Sequence, residues 1–173
     1  MMRIGHGFDV HRLVAARPLV LGGVTIPYEF GLLGHSDADV LLHAVADAIL
    51  GALGLGDIGR YFPDTDPAYQ GVDSMLLLEH VVGLAQTRGF RVGNLDTTIV
   101  AQQPRLAPHV ARMITNLARV CQVQSGCVNV KATTTEQLGY AGRGEGIAAY
   151  AVVLMEESGQ PCRLNEKSGA SAT

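Results

Sequence analysis

The sequence predicts a single α+β domain, with helices stacked on one face of a sheet. Three observations carry that expectation. The 173 residues suffice for one real core and are too few for two. Strand-like alternation and helix-like stripes both occur without strict alternation along the chain, which argues against a doubly wound sheet. A composition 47% hydrophobic and 17% charged excludes a disordered chain, a collagen-like repeat and a coiled coil. The low charge also implies that part of the surface is covered by another subunit.

The elements follow in order. Residues 3–11 alternate, with Ile4, His6, Phe8 and Val10 on one face and Arg3, Asp9 and His11 on the other, the pattern of a half-buried strand on which His6 reads as core. Leu19, Val20, Leu21, then Gly22 and Gly23, then Val24, Thr25, Ile26 reads as a hairpin closed by a Gly-Gly turn. A helix is expected over residues 36–53, with Ser36 and Asp39 as a short-armed capping box. Asp73 caps a second helix, which Arg88 and Gly89 end. A strand follows at residues 91–101. A third helix starts near Pro108 and carries a stripe of Leu106, Val110, Met113, Ile114 and Leu117. Residues 128–132 form a short strand and residues 147–155 an almost wholly apolar one. With no internal repeat and no linker, residues 1–157 read as the domain. Residues 158–173 are polar and small, and are expected to be disordered.

Several functional classes drop out on composition. A net charge of -3, a pI near 6.0, and only Lys131 and Lys167 as lysines leave no basic run to track nucleic-acid phosphates. Cys121, Cys127 and Cys162 form no C-x-x-C pair, so neither a disulfide scaffold nor a cysteine zinc site is expected, and a reducing compartment fits. The longest apolar stretch, residues 40–50, is interrupted by His43 and Asp47, and the N-terminus lacks a signal peptide's apolar core. A soluble, cytoplasmic protein is expected.

Histidine usage gives the first chemical clue, since four of the six histidines fall within residues 6–43. Asp9 and His11 share one face of their strand. His35, Asp39, His43 and Asp47 recur every fourth residue as one stripe of an otherwise apolar helix, so these groups must be paired or must hold a metal. Asp9, His11 and His43 suit Zn²⁺ with one position left open, and Asp47 is spaced to fix the His43 tautomer from behind. The alternative is a strand-end pair plus a core histidine satisfied by Asp47. Thr133 and Glu136 have capping-box spacing after a strand, so they read either as a plain helix cap or as a phosphate site where Glu136 shares a divalent cation. The run from Gly54 to Gly59 spells G-x-G-x-x-G but follows a helix rather than a strand, so it is no dinucleotide site. No P-loop, nucleophile elbow or activated cysteine is present. His80 and His109 lie on the polar sides of their helices and read as solvated.

Taken together, the segments Ile4-Gly5-His6-Gly7-Phe8-Asp9-Val10-His11, Gly34-His35-Ser36-Asp37, Gly56-Asp57-Ile58-Gly59, Phe62-Pro63-Asp64-Thr65-Asp66-Pro67, Val130 through Glu136, and Gly142-Arg143-Gly144-Glu145-Gly146 closely resemble the 2-C-methyl-D-erythritol 2,4-cyclodiphosphate synthase family. The resemblance covers about residues 2–155 and includes no cytidylyltransferase domain, so a monofunctional enzyme is expected. It implies a homotrimer of α+β subunits, each with a mainly four-stranded mixed sheet backed by helices on one face, with active sites between subunits. It also implies the conversion of 4-diphosphocytidyl-2-C-methyl-D-erythritol 2-phosphate to the cyclic diphosphate, with loss of CMP. It implies zinc, one per subunit, on Asp9, His11 and His43, with His35 and Ser36 at the 2-phosphate and Asp57, Ile58 and Gly59 at the erythritol hydroxyls. Phe62, Pro63, Asp64, Thr65 and Asp66 would close nearby. Ala101, Gln102, Gln103, Pro104, Arg105, Leu106 and Ala107 would receive the cytidine diphosphate with Thr133, Thr134, Thr135 and Glu136, and Glu136 would hold Mg²⁺ or Mn²⁺. Val10, Tyr140 and Arg143 complete the substrate contacts, and His35 and Thr134 act as donors to charge developing on phosphoryl oxygens.

Two rival classes remain. A zinc hydrolase with the same ligands would release linear products. A non-catalytic binder would hold an isoprenoid diphosphate through Arg143, at an apolar trimer channel lined by Phe8, and would keep its ligand without zinc.

Overall fold

The computed structural model describes residues 1–63 and 65–158. Its order is β1 (Met2–Ala15), β2 (Leu19–Leu21), β3 (Val24–Ile26), β4 (Phe30–Leu32), α1 (Val40–Leu53), α2 (Ile58–Tyr61), α3 (Ser74–Thr87), β5 (Phe90–Val100), α4 (Val110–Cys121), β6 (Val128–Thr133), α5 (Gly139–Gly142) and β7 (Gly146–Glu157). The α+β mixed-sheet class holds, but the main sheet has five strands rather than four, ordered β4-β1-β7-β5-β6. The extra strand is β4, a three-residue edge piece pairing Leu32 with Leu13 and too short to leave a periodic signal. Only β5 and β6 run parallel, and the crossover between them includes α4. The hairpin of β2 and β3 stands apart, closed by Gly22 and Gly23 with φ of 58° and 67°.

Helix α1 is the centre of the core. Eleven of its 14 residues are buried, among them Leu41, Leu42, Ile49 and Leu50, each fully buried aliphatic side chain contributing about 1.5–3 kcal/mol. It starts at Val40, four residues later than residue 36, because Asp39 rather than Ser36 is its cap. The Asp39 carboxylate is wholly buried and accepts from Leu41 N and Leu42 N and from Gly22 N and Gly23 N, so one side chain ties the helix start to the hairpin turn. Burial pushes its pKa up to about 6 against those hydrogen bonds. In the same way α4 starts at Val110, after a single 3₁₀ turn at Ala107–His109 that contains Pro108, and its expected stripe buries Leu106, Met113 and Leu117. Asp73 caps α3 as expected, through Met75 N.

The helices lie on one face, but the first strand turns the other way round from the apolar reading of its alternation. Ile4, Phe8 and Val10 are exposed at 73%, 41% and 43%, and His6 lies out beside Tyr150 rather than in the core. The buried positions are Gly5 and Gly7, where the backbone of α1 sits directly on the strand. A Cβ at Gly5 would stand 1.8 Å from Ala48 O, and one at Gly7 1.9 Å from Ala44 O. Among the described residues, no helix is long and apolar enough to cross a membrane. The expected disorder of the tail falls on residue 158 and on residues beyond 158, which lie outside the described residues. Ser158 itself is described and donates its N–H to Gly89 O.

Gly7→Ala is therefore expected to cost about 3 kcal/mol or more in urea unfolding, because no side-chain motion relieves a collision with main chain. Gly83, inside α3 with nothing within 4 Å of its would-be Cβ, is the control. Gly83→Ala should stabilise the protein by about 0.5–1 kcal/mol.

Candidate active site

The strand and helix that meet at Gly7 also bring the ionisable groups together. Asp9 and His11 follow on the covered face of β1, and His43 projects from the first turn of α1. Asp9 Oδ2 lies 2.9 Å from His43 Nδ1 and 3.0 Å from His11 Nε2, and the two ring nitrogens lie 3.1 Å apart. Outer hydrogen bonds assign the ring protons. His11 Nδ1 stands 2.9 Å from Leu33 O, an acceptor only, so it donates there and turns the Nε2 lone pair inward. Ser74 donates its hydroxyl to Asp37, so the 2.9 Å contact between Ser74 Oγ and His43 Nε2 is a donation from the imidazole, and the Nδ1 lone pair also faces inward.

With both rings neutral, three lone pairs thus converge about 3 Å apart, an arrangement that calls for positive charge between them. The near-equilateral triangle matches the edge of a tetrahedral site, about 3.3 Å for ligand bonds of roughly 2.0–2.1 Å. Asp9, His11 and His43 therefore fit a divalent cation, and they form a metal-binding group among the described residues. Burial tends to raise the pKa of Asp9, but in the protonated forms of His11 and His43 the hydrogen bonds and charges of the two rings outweigh it and hold the carboxyl well below the usual carboxylate range. Val10 contributes through its backbone, whose N–H fixes Asp9 Oδ1 at 2.8 Å.

Asp47 does not orient His43. Its Oδ1 accepts from Ile58 N at 2.7 Å, while the second His43 nitrogen meets Ser74 and, at 3.2 Å, Ser36. One helical turn separates the two side chains, but α2 docks on Asp47 and takes its hydrogen bond. Burial and the nearby Asp57 and Asp9 push the pKa of Asp47 up, against the Ile58 bond. Asp47 thereby sets Ile58 and Gly59 on the rim of a cavity of about 380 Å³ that Asp9, His11, His35, Ser36, His43 and Phe62 also line. His35 Nε2 donates to Asp66 O at 3.1 Å and ties the cavity to the following loop. In that loop Phe62 packs edge-on against Tyr69 and His80, and Asp66 caps the turn at Pro67–Tyr69. Pro63 and Thr65 lie in the same loop, and Asp64 lies outside the described residues. Asp57 caps α2 through Arg60 N and does not reach the cavity wall.

A second cavity, about 300 Å³, gathers Ala101, Gln102, Gln103, Pro104, Arg105, Leu106 and Ala107 with Thr133 and Thr134. Glu136 and Thr135 stand beside it, but not as a helix cap. Glu136 and Gln137 take left-handed backbone (φ 52° and 65°), so the turn leads away instead of starting a helix. Thr134 Oγ1 donates to Glu136 Oε1 at 3.1 Å, and Gln137 N donates to Gln102 Oε1 at 3.2 Å, joining the two loops. Tyr140 and Arg143 are exposed, and Arg143 pairs with Glu145 at 2.7 Å. Sequence spacing missed Ser74 and Asp37. Both precede or open helices in polar segments, where periodicity carries no information about a partner on another element.

Fold and site together define an α+β protein with an open carboxylate–imidazole metal centre beside a cleft, the equipment of a metal-dependent enzyme. Comparison with known proteins narrows that class. The chain belongs to the YgbB family, whose model matches residues 2–156. It is 69% identical over 156 residues to the 2-C-methyl-D-erythritol 2,4-cyclodiphosphate synthase of Geobacter sulfurreducens, covering 90% of this chain and 99% of that one. To the synthase of the same name from Geotalea uraniireducens it is 68% identical over 155 residues, again 90% and 99% of the two chains. A solved 2C-methyl-D-erythritol-2,4-cyclodiphosphate synthase in its CDP-bound form superposes with a TM-score of 0.82 at 38% identity, covering 89% of this chain and 100% of that one.

His43→Ala removes one of three ligand atoms while leaving the buried faces of α1 intact. Titration with Zn²⁺ is expected to show one site per chain in the wild type and a steep loss of affinity in the variant, with circular dichroism unchanged. Full metal content in the variant would dismiss the ligand assignment.

Proposed function

We propose that this protein converts 4-diphosphocytidyl-2-C-methyl-D-erythritol 2-phosphate to 2-C-methyl-D-erythritol 2,4-cyclodiphosphate and CMP. The observation that carries the reading is the convergence of Asp9, His11 and His43 on the floor of a cleft, in a chain 68–69% identical to synthases of that name. In the reaction an oxygen of the 2-phosphate attacks the β-phosphorus. The bond from that phosphorus to the α–β bridging oxygen breaks, and CMP departs with the oxygen and its electron pair. The nucleophile is already ionised at neutral pH, so the chain supplies no general base. Its tasks are alignment and charge neutralisation.

Asp9, His11 and His43 would hold zinc, and Glu136 would hold Mg²⁺ or Mn²⁺ with the substrate phosphates. Bound there, such cations supply Lewis-acid polarisation of phosphoryl oxygens and a template for two like-charged groups. His35 and the backbone of Gly34 and Ser36 face the 2-phosphate end, and Ile58 and Gly59 the polyol. The loop from Ala101 to Ala107 would receive the cytidine, and Thr134, whose hydroxyl donates to Glu136 Oε1 in this structure, would turn it to charge at the leaving end when Glu136 engages the cation. This placement is supported by the two cavities and by the CDP-bound form of the solved relative.

The two cavities share no lining residue. Asp9 pairs with Ala149, Ala149 with Ile99 and Ile99 with Ala132, which sets the halves three strands, roughly 14 Å, apart. The reaction brings the 2-phosphate and the β-phosphate to one point, and two halves this far apart meet there most simply when they come from different copies. The uncovered sheet face, with Ile4, Phe8, Val10, Tyr150 and Val152 exposed, offers the apolar surface for that assembly, which we take to be a closed trimer.

Phosphorus NMR of the product, with and without chelator, tests the reaction. A cyclic diphosphate plus CMP is expected, lost on chelation, whereas linear products would mean a hydrolase. Mixing tests the shared site. His43→Ala and Glu136→Ala, each dead alone and refolded together in equal amounts, should recover about a quarter of wild-type activity, since each half of an interface is sound with probability about one half. No recovery in verified mixed trimers would place the site within one chain.

A further inference from the structure

Behind the metal-facing nitrogen of His43 lies a polar cluster of side chains, two of which, Asp37 and Ser74, the proposed reaction does not use. Ser36, Asp37 and Ser74 come from the loop before α1 and from the first turn of α3, and they meet at the far side of the His43 ring. Ser36 and Ser74 are only 7% and 1% exposed. The contacts close as a directed chain. His43 Nε2 donates to Ser74 Oγ at 2.9 Å, and the Ser74 hydroxyl donates to Asp37 Oδ1. Asp37 Oδ2 also accepts from Ser74 N at 3.3 Å, while its Oδ1 accepts from Asp39 N at 3.2 Å, so the carboxylate is fixed against both helix starts. Ser36 Oγ accepts from Ala38 N and stands 3.2 Å from His43 Nε2 and 3.3 Å from Ser74 Oγ, a longer contact to the ring than the 2.9 Å one from Ser74. A lone serine could turn its hydroxyl toward either nitrogen lone pair or carboxylate. Asp37 removes that freedom, because its negative charge takes the Ser74 proton and leaves Ser74 only lone pairs to offer the imidazole.

We infer that Ser74, oriented by Asp37, is the positioning residue for His43: it holds the proton on Nε2 and so keeps Nδ1 as the ligand atom. The role is that of the outer carboxylate or carbonyl behind many metal-bound histidines, with a serine hydroxyl inserted between ring and carboxylate. Asp47, the residue whose spacing suggested this role, is engaged with Ile58. The cluster also ties the metal centre to α3, since Ser74 opens that helix while Asp73 supplies its cap. Removal of the Ser74 hydroxyl therefore leaves the cap in place.

The inference rests on reading Asp9, His11 and His43 as a metal site, and the test separates the two. In metal-free protein, at a pH where His43 is neutral, ¹⁵N NMR of the imidazole is expected to show the Nε2–H tautomer in the wild type. Ser74→Ala should shift the population toward Nδ1–H and raise the dissociation constant for Zn²⁺ about 10–100-fold. Asp37→Asn, which keeps an acceptor but loses the charge, should move both readouts in the same direction by less. It carries the test alone if Ser74→Ala does not fold. A wild-type tautomer and wild-type zinc affinity in the folded variants would overturn the proposal. The tautomer is read without metal, so it judges Ser74 and Asp37 independently, and failure of the wild-type protein to bind zinc would fault the metal reading instead.

Discussion

The close seating of α1 on β1 is the constraint from which the site follows. Main chain rests on main chain because Gly5 and Gly7 carry no Cβ, and that contact sets how near the helix axis comes to the sheet. An ordinary side chain at either position would lift the helix. Two residues further along the strand, the same proximity places Asp9 Oδ2 at 2.9 Å from a ring on the helix. The packing also explains the unusual composition of α1. A helix resting on the sheet on one side and against α3 on another must be apolar nearly all round, and small where it touches strand, hence Ala44 and Ala48 opposite the two glycines.

The fold treats its buried carboxylates in two different ways. Asp39 is surrounded by backbone donors, and its hydrogen bonds join two segments of chain, so its task is structural although burial raises its pKa. Asp9 instead faces two imidazoles whose protons are committed outward, to Leu33 O and Ser74 Oγ. Its pKa moves the opposite way because hydrogen bonds and charge from His11 and His43, in their protonated forms, outweigh burial. The difference arises from what lies around each group rather than from the residue type, which is why spacing could nominate both and could not tell them apart.

The elements that periodicity marks strongly were legible. The hairpin at Gly22 and Gly23, the cap at Asp73, the stripe of α4 and the apolar β7 all reappear with ends shifted by one or two residues, and the three metal-site residues meet as their spacing suggested. The failures have specific causes. The alternation of Ile4, His6, Phe8 and Val10 was real, but hydrophobicity indicates a face to be covered and not which covering covers it. Here the glycines, silent on any hydropathy scale, mark the helix side. A strand as short as β4 has no period to detect. Thr133 and Glu136 had the letters of a capping box, yet left-handed backbone at Glu136 and Gln137, stabilised by the bond to Gln102 from another loop, sends the chain elsewhere. The same non-local competition reassigned Asp47 once α2 docked on it.

Both faces of the sheet then acquire a use. The covered face holds α1 and the metal-site residues rigidly, and the loop cavity at the ends of β5 and β6 is held with equal firmness by a parallel ladder and by Ala101 N donating to Thr133 O. Bringing these two places into contact within one chain would break the ladders of β1, β7, β5 and β6 that lie between them. On the proposed reading, the distance is bridged by association instead. The uncovered face, where Phe8 lies near Tyr150 with ring centres 4.9 Å apart, would be buried against other copies, whose edges would bring the loop proposed for the cytidine to each metal-site cluster. An arrangement of that kind lets each half-site remain stiff, since the joining of halves is done once, at assembly, and not at every turnover. It also accounts for a chain with so few charges. Hydrophobic residues that look exposed on one subunit are then the interior of the functional unit, and the exposed ionisable groups are left for solvent and for the substrate's phosphates.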